Sequence, residues 1–386
     1  MSMIITIVGW YGTETIGDRA ILFGIINILK ETFNDISIEL GSLFPFFTNR
    51  TINEDYEIWK EIDGKDISIN LFDLNKKEEL VGAIRKSDVV MMAGGPLMNI
   101  GNMFMIEYAF RKAKKYGKKT ALLGCGIGPI YKKKYKKNLY EIIRRSDVTI
   151  VRDMVSKKNY EEIFKEIGVD YKKYQVYKSI DPSIKCCITY IKKYRKKVDK
   201  LGDYCVINVR KYPIGYSHKK TDYNEIIIDI VNKIVKNNSG IPCLLLPMHY
   251  FHVGGDDRLF QNEIALRLKN ENVEVQNKHL NLIQTLKVNA SAYKCYAMRY
   301  HAVVFQTILN GNNYIIDYTD PIKGKINGFL ENIEGCEFYR NRMVKLQENE
   351  KVIGGEDEIE KKYLPNLKQL NHELDVYRKK LIETMQ

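Results

Sequence analysis

The chain has no apolar run approaching the ~18 residues of a membrane-spanning helix. Met1-Ser2-Met3-Ile4-Ile5 also lacks the cationic stretch that opens a secretory leader. A cytoplasmic protein is expected. There is no C-x-x-C pair, and the seven cysteines (Cys125, Cys186, Cys187, Cys205, Cys243, Cys295 and Cys336) are odd in number and mostly fall in strand-like runs. That pattern argues against a disulfide framework or a zinc site and suits reduced, buried thiols. Cys125, flanked by glycines, could serve as a nucleophile, but a buried structural thiol is the expected reading. Acidic residues are in deficit, 48 Asp and Glu against 61 Lys and Arg, for a formal charge of +13. Nucleic acid, an anionic membrane face and phosphorylated substrates all qualify as partners. No helix-turn-helix, zinc or RNA-recognition signature accompanies the charge, which argues against nucleic acid. Runs such as Lys132-Lys133-Lys134 and Lys192-Lys193-Tyr194-Arg195-Lys196-Lys197 read first as solvated helix faces.

At 386 residues, 45% apolar and 28% charged, the chain is a globular protein too long for one ordinary core. Met3–Val8 is an unbroken apolar run, as in a strand buried on both faces. A glycine-containing turn follows (Gly9, Gly12, Gly17, Asp18), then a helix from about Arg19 to Phe33. The turn matches neither the dinucleotide G-x-G-x-x-G nor a G-K-[ST] loop. Strand-like and helix-like runs then alternate. Three strands end in Gly94-Gly95-Pro96-Leu97, in Gly124-Cys125-Gly126-Ile127-Gly128-Pro129 and in Arg152-Asp153. In a doubly wound sheet those ends share one edge, where ligands bind; tight turns alone would also demand the glycines. Residues 185–202 break the alternation and separate a domain over 1–190 from a second over 200–345. The second has its own row of turns: Arg210, His249 to Asp257, Arg299 to His301, and Tyr318 to Lys325. A tail over 355–386 spaces Leu364, Leu367, Leu370, Leu374, Tyr377 and Leu381 as an amphipathic helix that needs an apolar partner. Docking across the domains is expected, since its polar face mixes both charges. The fold class is therefore α/β, two Rossmann-like domains facing across a cleft (GT-B-like) with a C-terminal amphipathic helix.

Arg299 and His301 sit at a strand-to-helix turn, where unpaired N–H groups and the helix dipole favour an anion. A permanent cation two residues from an imidazole suits chemistry on a phosphate- or carboxylate-bearing substrate. The plainer reading is a surface arginine and a histidine that caps the helix. His249, His252, Asp256 and Asp257 invite a metal, but the spacing matches no metalloprotease pattern, and contacts to substrate or between domains suit them better.

Taken in order, the motifs resemble the polysaccharide pyruvyltransferase family along nearly the whole chain. They are Gly9, Gly12, Gly17 and Asp18, then Gly94-Gly95-Pro96-Leu97 and Gly124 to Pro129. Val151-Arg152-Asp153 with Ser156, Asp181-Pro182, Met298-Arg299-Tyr300-His301-Ala302, and Tyr318 with Lys323-Gly324-Lys325 complete the series. Thr15 and Arg19 depart from it, standing where the family usually has Asn and Glu; so do Ala93 for Gly and Tyr300 for Leu. The resemblance implies transfer of a pyruvyl group from phosphoenolpyruvate to a sugar of a surface polysaccharide or its lipid-linked precursor, forming a ketal. It implies no cofactor or metal beyond that co-substrate. His301 would be the general acid and Asp18 an aid to deprotonation, while Arg299, Arg210, Arg152 and Lys323 grip the donor. Gly12, Gly17, Gly94, Gly95, Gly126 and His249 would line the cleft. Peripheral contact with an anionic membrane would bring the enzyme to a lipid-linked acceptor. The alternative is a glycosyltransferase of the same architecture with a nucleotide-sugar donor, its ribose held by an acid such as Glu263 or Glu271.

Overall fold

Strands buried on both faces assemble into parallel sheets, because each crossover lays a helix on one face. The computed structural model describes residues 2–62, 68–195, 202–213, 222–320, 323–348 and 361–385. Its strands fall into two all-parallel sheets, one in each of two compact units. Unit 1 comprises Met1–Glu14, Asp18–Cys186 and Leu367–Gln386; unit 2 comprises Thr15–Gly17 and Cys187–Asn366.

Unit 1 carries β1 (Met3–Val8), β2 (Ile36–Ser42), β3 (Ile69–Asp73), β4 (Val89–Ala93), β5 (Pro96–Leu97), β6 (Lys119–Ile127), β7 (Val148–Val151) and β8 (Val176–Lys178). Their order is β3-β2-β1-β4-β6-β7-β8, with the stub β5 beside the end of β6. Unit 2 carries β9 (Gly202–Asn208), β10 (Cys243–Leu245), β11 (Val273–Val275), β12 (Ala292–Ala297), β13 (Asn313–Asp317) and β14 (Met343–Lys345). Their order is β11-β10-β9-β12-β13-β14. Each sheet thus winds outward from a central strand, returns to its other side and winds outward again. This is the doubly wound Rossmann pattern.

The helices form where apolar residues recur at three and four. Met103–Lys115 buries Met103, Ile106, Ala109, Phe110 and Ala113 and leaves Lys112, Lys114 and Lys115 in its last turn, where the dipole favours cations. Tyr223–Asn237 buries Ile227, Ile230, Val231 and Ile234. Asp222 starts it by accepting from the N–H groups of Asn224 (3.0 Å) and Glu225 (3.4 Å). Among the described residues no helix is long and apolar enough to cross a membrane.

Two details go beyond the expectation. The two units do divide within the lysine- and tyrosine-rich stretch, between Cys186 and Cys187, but the stretch begins as a helix, Ser183–Lys193, that buries Ile184, Cys187, Ile188 and Tyr190. The rest of that boundary, 196–201, lies outside the described residues, as do 355–360 of the tail. The helical tail is also no separate body. Leu367–Met385 belongs to unit 1 and buries Leu370, Leu374, Tyr377 and Leu381 there. Tyr377 Oη donates to the Ile180 carbonyl at 2.7 Å, and Ser179 Oγ donates to the Glu373 carbonyl at 2.6 Å.

Candidate active site

In a doubly wound sheet the crevice opens beyond the carboxyl ends of the two strands where winding reverses. In unit 2 these are β9 and β12, followed in sequence by Val209-Arg210 and by Met298-Arg299-Tyr300-His301. Asn208, fully buried at the end of β9, binds the two ends together. Its Oδ1 accepts from the Arg299 N–H (2.9 Å), its Nδ2 donates to the Leu246 carbonyl (2.8 Å), and its own carbonyl accepts from Met298 N–H (2.9 Å). The helix Tyr300–Leu309 therefore starts from a fixed point, with Arg299 at the N-cap position. Sequence reasoning passes over Asn208; its one signal is an amide ending an otherwise apolar strand.

The Arg299 side chain is anchored along one edge. Its Nε donates to both oxygens of Asp257 (2.9 and 2.7 Å), and its Nη2 donates to Asp257 Oδ1 (2.6 Å) and to the Gly255 carbonyl (3.2 Å). Asp257 is itself buried and accepts from the N–H groups of Met248 (3.1 Å) and His249 (3.2 Å). It is thus the fixed counter-charge of Arg299 rather than a substrate contact. Asp256 caps the helix Asp257–Leu268 and pairs with Arg258 at 2.6 Å.

Beyond β13 stands Tyr318, buried, with the Arg210 guanidinium 5.9 Å and the Lys325 ammonium 5.3 Å from its ring centre. Lys325 also lies 5.8 Å from the ring of Tyr300. Burial alone would push the Tyr318 phenol up, but Lys325, Arg210 and Arg299 together pull it down to about 8. Three cations thus act on one buried phenol at the ends of β9, β12 and β13. Lys323, the lysine expected to grip a donor, is exposed, its backbone N–H donating to Asp320 Oδ1 at 2.7 Å.

His249 is buried at the end of β10. Its Nε2 lies 2.6 Å from the Val253 carbonyl, which can only accept, so Nδ1 is the acceptor for the Thr15 hydroxyl at 2.6 Å. Burial, reinforced by Arg299, lowers its pKa to about 4, and the ring is neutral at physiological pH. Thr15 also forms an antiparallel bridge with His249, and Ile16 N–H donates to the Met248 carbonyl at 3.1 Å. A Cβ on Gly17 would lie 1.9 Å from His301 Nδ1, so only glycine fits against that ring.

In unit 1 the winding reverses between β1 and β4. Tyr11 Oη donates to the Ala93 carbonyl at 2.8 Å and ties their ends together. Gly94 and Gly95 turn the chain there with φ of +67° and +74°, and a Cβ on Gly95 would meet Trp10 at 2.1 Å. Gly12 packs against the Phe44 backbone. Asp18 is half-buried in the first turn of the helix Ile16–Thr32, and its charge adds to burial in raising the Tyr11 phenol.

Arg152 departs from its expected place as a donor contact. It is 4% exposed, reaches Asp181 Oδ2 at 3.2 Å and Asp153 Oδ2 at 3.5 Å, and lies where a Cβ on Gly126 would meet it at 2.6 Å. Asp153 caps the helix Met154–Glu166 through Ser156 N–H (2.6 Å), and Ser156 Oγ accepts from Ile127 N–H (3.0 Å). Arg152, Asp153, Ser156 and Asp181 thus form a buried polar network that fixes the ends of β6 and β7. Arg19 is paired with Asp55 at 2.6 Å inside unit 1. Thr15 and Arg19, two departures from the family pattern, therefore both have partners within their own unit. Cys125 is fully buried, and burial pushes its thiol far up, against a role as nucleophile.

A sequence-family model described as polysaccharide pyruvyl transferase matches residues 16–321. No curated protein sequence matches the chain. Among solved structures, a putative UDP-N-acetylglucosamine 2-epimerase from Listeria monocytogenes is similar at 13% identity and TM-score 0.55, covering 100% of this chain and 91% of its own. UDP-GlcNAc 2-epimerase from Neisseria meningitidis, bound to UDP-GlcNAc, is similar at 12% identity and TM-score 0.52, with 99% and 100% covered. Trehalose 6-phosphate synthase from Burkholderia multivorans is similar at 11% identity and TM-score 0.51, with 100% and 96% covered. These likenesses show a GT-B-like fold of two Rossmann-like units.

Proposed function

Because the chain belongs to the polysaccharide pyruvyl transferase family and is a transferase, we propose that it moves a pyruvyl group from phosphoenolpyruvate to a sugar. The acceptor is two hydroxyls of a surface polysaccharide or its lipid-linked precursor, and the products are a pyruvate ketal and inorganic phosphate. The observation that carries this reading is the convergence of Arg210, Arg299 and Lys325 on Tyr318, with His301 in the first turn of the adjoining helix. A donor with both a carboxylate and a phosphate needs several permanent cations, and arginines and a helix start supply them with directed N–H donors. In this reading Arg210, the outer edge of Arg299, Lys325 and Lys323 hold the donor, and no cofactor takes part.

His301 protonates the donor's methylene carbon, which makes the neighbouring carbon cationic. One sugar hydroxyl adds there; the carbon–oxygen bond to phosphate then breaks, its electron pair leaving with phosphate. The new ether oxygen stabilises the resulting cation until the second hydroxyl closes the ring. One hydroxyl proton restores His301 and the other leaves on phosphate, so the protein ends unchanged. Asp18 assists the loss of an acceptor proton.

The test is incubation with phosphoenolpyruvate and a panel of lipid-linked and nucleotide-linked sugars. One acceptor should gain the mass of a pyruvate ketal with stoichiometric release of phosphate, and His301→Gln should slow release by about 10²–10⁴-fold. Silence across the panel, with UDP-sugars raising Tm and phosphoenolpyruvate leaving it unchanged, would replace this reading with nucleotide-sugar transfer. Glu263 and Glu271 lend that rival no support, being exposed, with Glu263 leaning toward Arg267 at 3.9 Å.

Contact with an anionic membrane belongs to the same proposal. It is supported by an exposed shelf in unit 1: Tyr131 (65% exposed), Lys132, Lys133 and Lys134, beside Phe104, whose ring lies 5.5 Å from Tyr135. Asn99 Oδ1 holds the shelf by accepting from the N–H groups of Tyr131 and Lys132, both at 3.3 Å. Exposed aromatics beside lysines suit the interface of an anionic bilayer.

A further inference from the structure

A histidine that delivers a proton to carbon must be held at a set angle, and the elements of unit 2 nearest His301 show how. On one side its ring stands edge-on to Tyr300, centroids 5.0 Å apart, and 6.2 Å from Phe305 of its own helix. On the other lies Gly17, so close that any side chain there would overlap Nδ1. Gly17 has no side chain with which to hold its own position. Two residues before it, however, Thr15 bridges to His249 through both backbone and side chain, and Ile16 N–H binds the Met248 carbonyl. His249 is in turn fixed by Val253, by Gly254, where a Cβ would approach Nε2 to 3.1 Å, and by the N–H that it donates to Asp257.

We propose that Thr15 and His249 are positioning residues for His301: they clamp the stretch Thr15-Ile16-Gly17 so that the bare backbone of Gly17 sets the angle of the imidazole. The proposal rests on His301 as the proton donor of the reaction above, yet its geometry is testable without turnover. His249 touches no reacting atom in this scheme. Its task is to keep an acceptor, Nδ1, aimed at the Thr15 hydroxyl, which a neutral ring does and a protonated one does not.

Thr15→Val removes the hydroxyl, Thr15→Ser restores it, and Gly17→Ala forces the ring aside. The chain has six histidines; with labelled histidine, the imidazole signal that His301→Gln removes identifies His301. Thr15→Val and Gly17→Ala should shift the His301 signal, and Thr15→Ser should return it to the wild-type position. In turnover, Thr15→Val should lower kcat about 10- to 100-fold with little change in donor KM, and Thr15→Ser should recover most of it. A His301 signal unmoved by both Thr15→Val and Gly17→Ala overturns the proposal, as does a Thr15→Ser variant no better than Thr15→Val. If His301→Gln leaves turnover intact, the acid role fails instead, and the spectra still decide whether the clamp sets the ring.

Discussion

Arg299 and Asp257 are both withdrawn from water, and neither can be removed without leaving the other's charge uncompensated, at a cost of about 3–5 kcal/mol. Asp257→Asn should therefore lower Tm by roughly 6–20 °C in a unit of this size, read by calorimetry. It should also raise donor KM, because the guanidinium loses its fixed edge. His249 makes a second prediction. Its folded pKa, about 4, lies below its ordinary value of 6.5. Above pH 6.5 neither the folded nor the unfolded chain binds this proton, and the residue adds no pH dependence. From there down to about pH 4 only the unfolded chain takes it up, so stability falls with pH, by at most roughly 3 kcal/mol. Urea unfolding across that window should show the step, and His249→Gln should flatten it. That Arg299, His301 and Arg210 stand just beyond strand ends was legible in the sequence, because each follows an apolar strand closely. Asp257 was legible only as an acid near a histidine: that it faces Arg299 depends on β10 and β12 flanking β9, a pairing no local pattern encodes. Arg152 misled for a similar reason, since its carboxylate partner Asp181 lies 29 residues on.

The elements themselves were mostly readable, because buried parallel strands are continuous apolar runs and their helices repeat at three and four. The exceptions have physical causes. The strands β5, β8 and β14 are two or three residues long and contain proline or lysine rather than an unbroken apolar run, so they are set by the neighbours they pair with. The helix Ser183–Lys193 was hidden by its lysines and tyrosines, although Ile184, Cys187 and Ile188 mark its apolar side. The tail helix was read correctly as amphipathic, but its place in unit 1 rests on contacts nearly two hundred residues away in sequence. Leu374→Ala there should cost about 2–5 kcal/mol, and Tyr377→Phe, which loses one buried hydrogen bond, about 1 kcal/mol. Chemical denaturation distinguishes the two.

At the scale of the molecule, the excess of lysine and arginine is spread over many faces, but the shelf from Tyr131 to Lys134 joins charge to exposed rings. Binding to vesicles containing phosphatidylserine should weaken several-fold when Lys132, Lys133 and Lys134 are changed to glutamate, and should fall with added salt. Phosphatidylcholine vesicles should bind neither form. Unchanged sedimentation of the triple variant with anionic vesicles would remove the shelf from the proposal. The Rossmann-like class of both units was anticipated from the alternation of strand and helix; the strand orders and the assignment of Thr15–Gly17 to unit 2 were not.

That unit 1 draws on Leu367–Met385 has a bearing on how the protein is made. A ribosome adds some 5–20 residues per second, so the sheet of unit 1 emerges well before the segment whose Tyr377 packs beside Gly124 and binds the Ile180 carbonyl. During that interval its uncovered surface is open to chaperones and to other nascent chains. Unit 2, almost all of which is already translated, is free to form first. Translation stalled after Asn366 should accordingly leave a nascent chain in which unit 2 resists protease and unit 1 is digested, and release of the remaining residues should protect both.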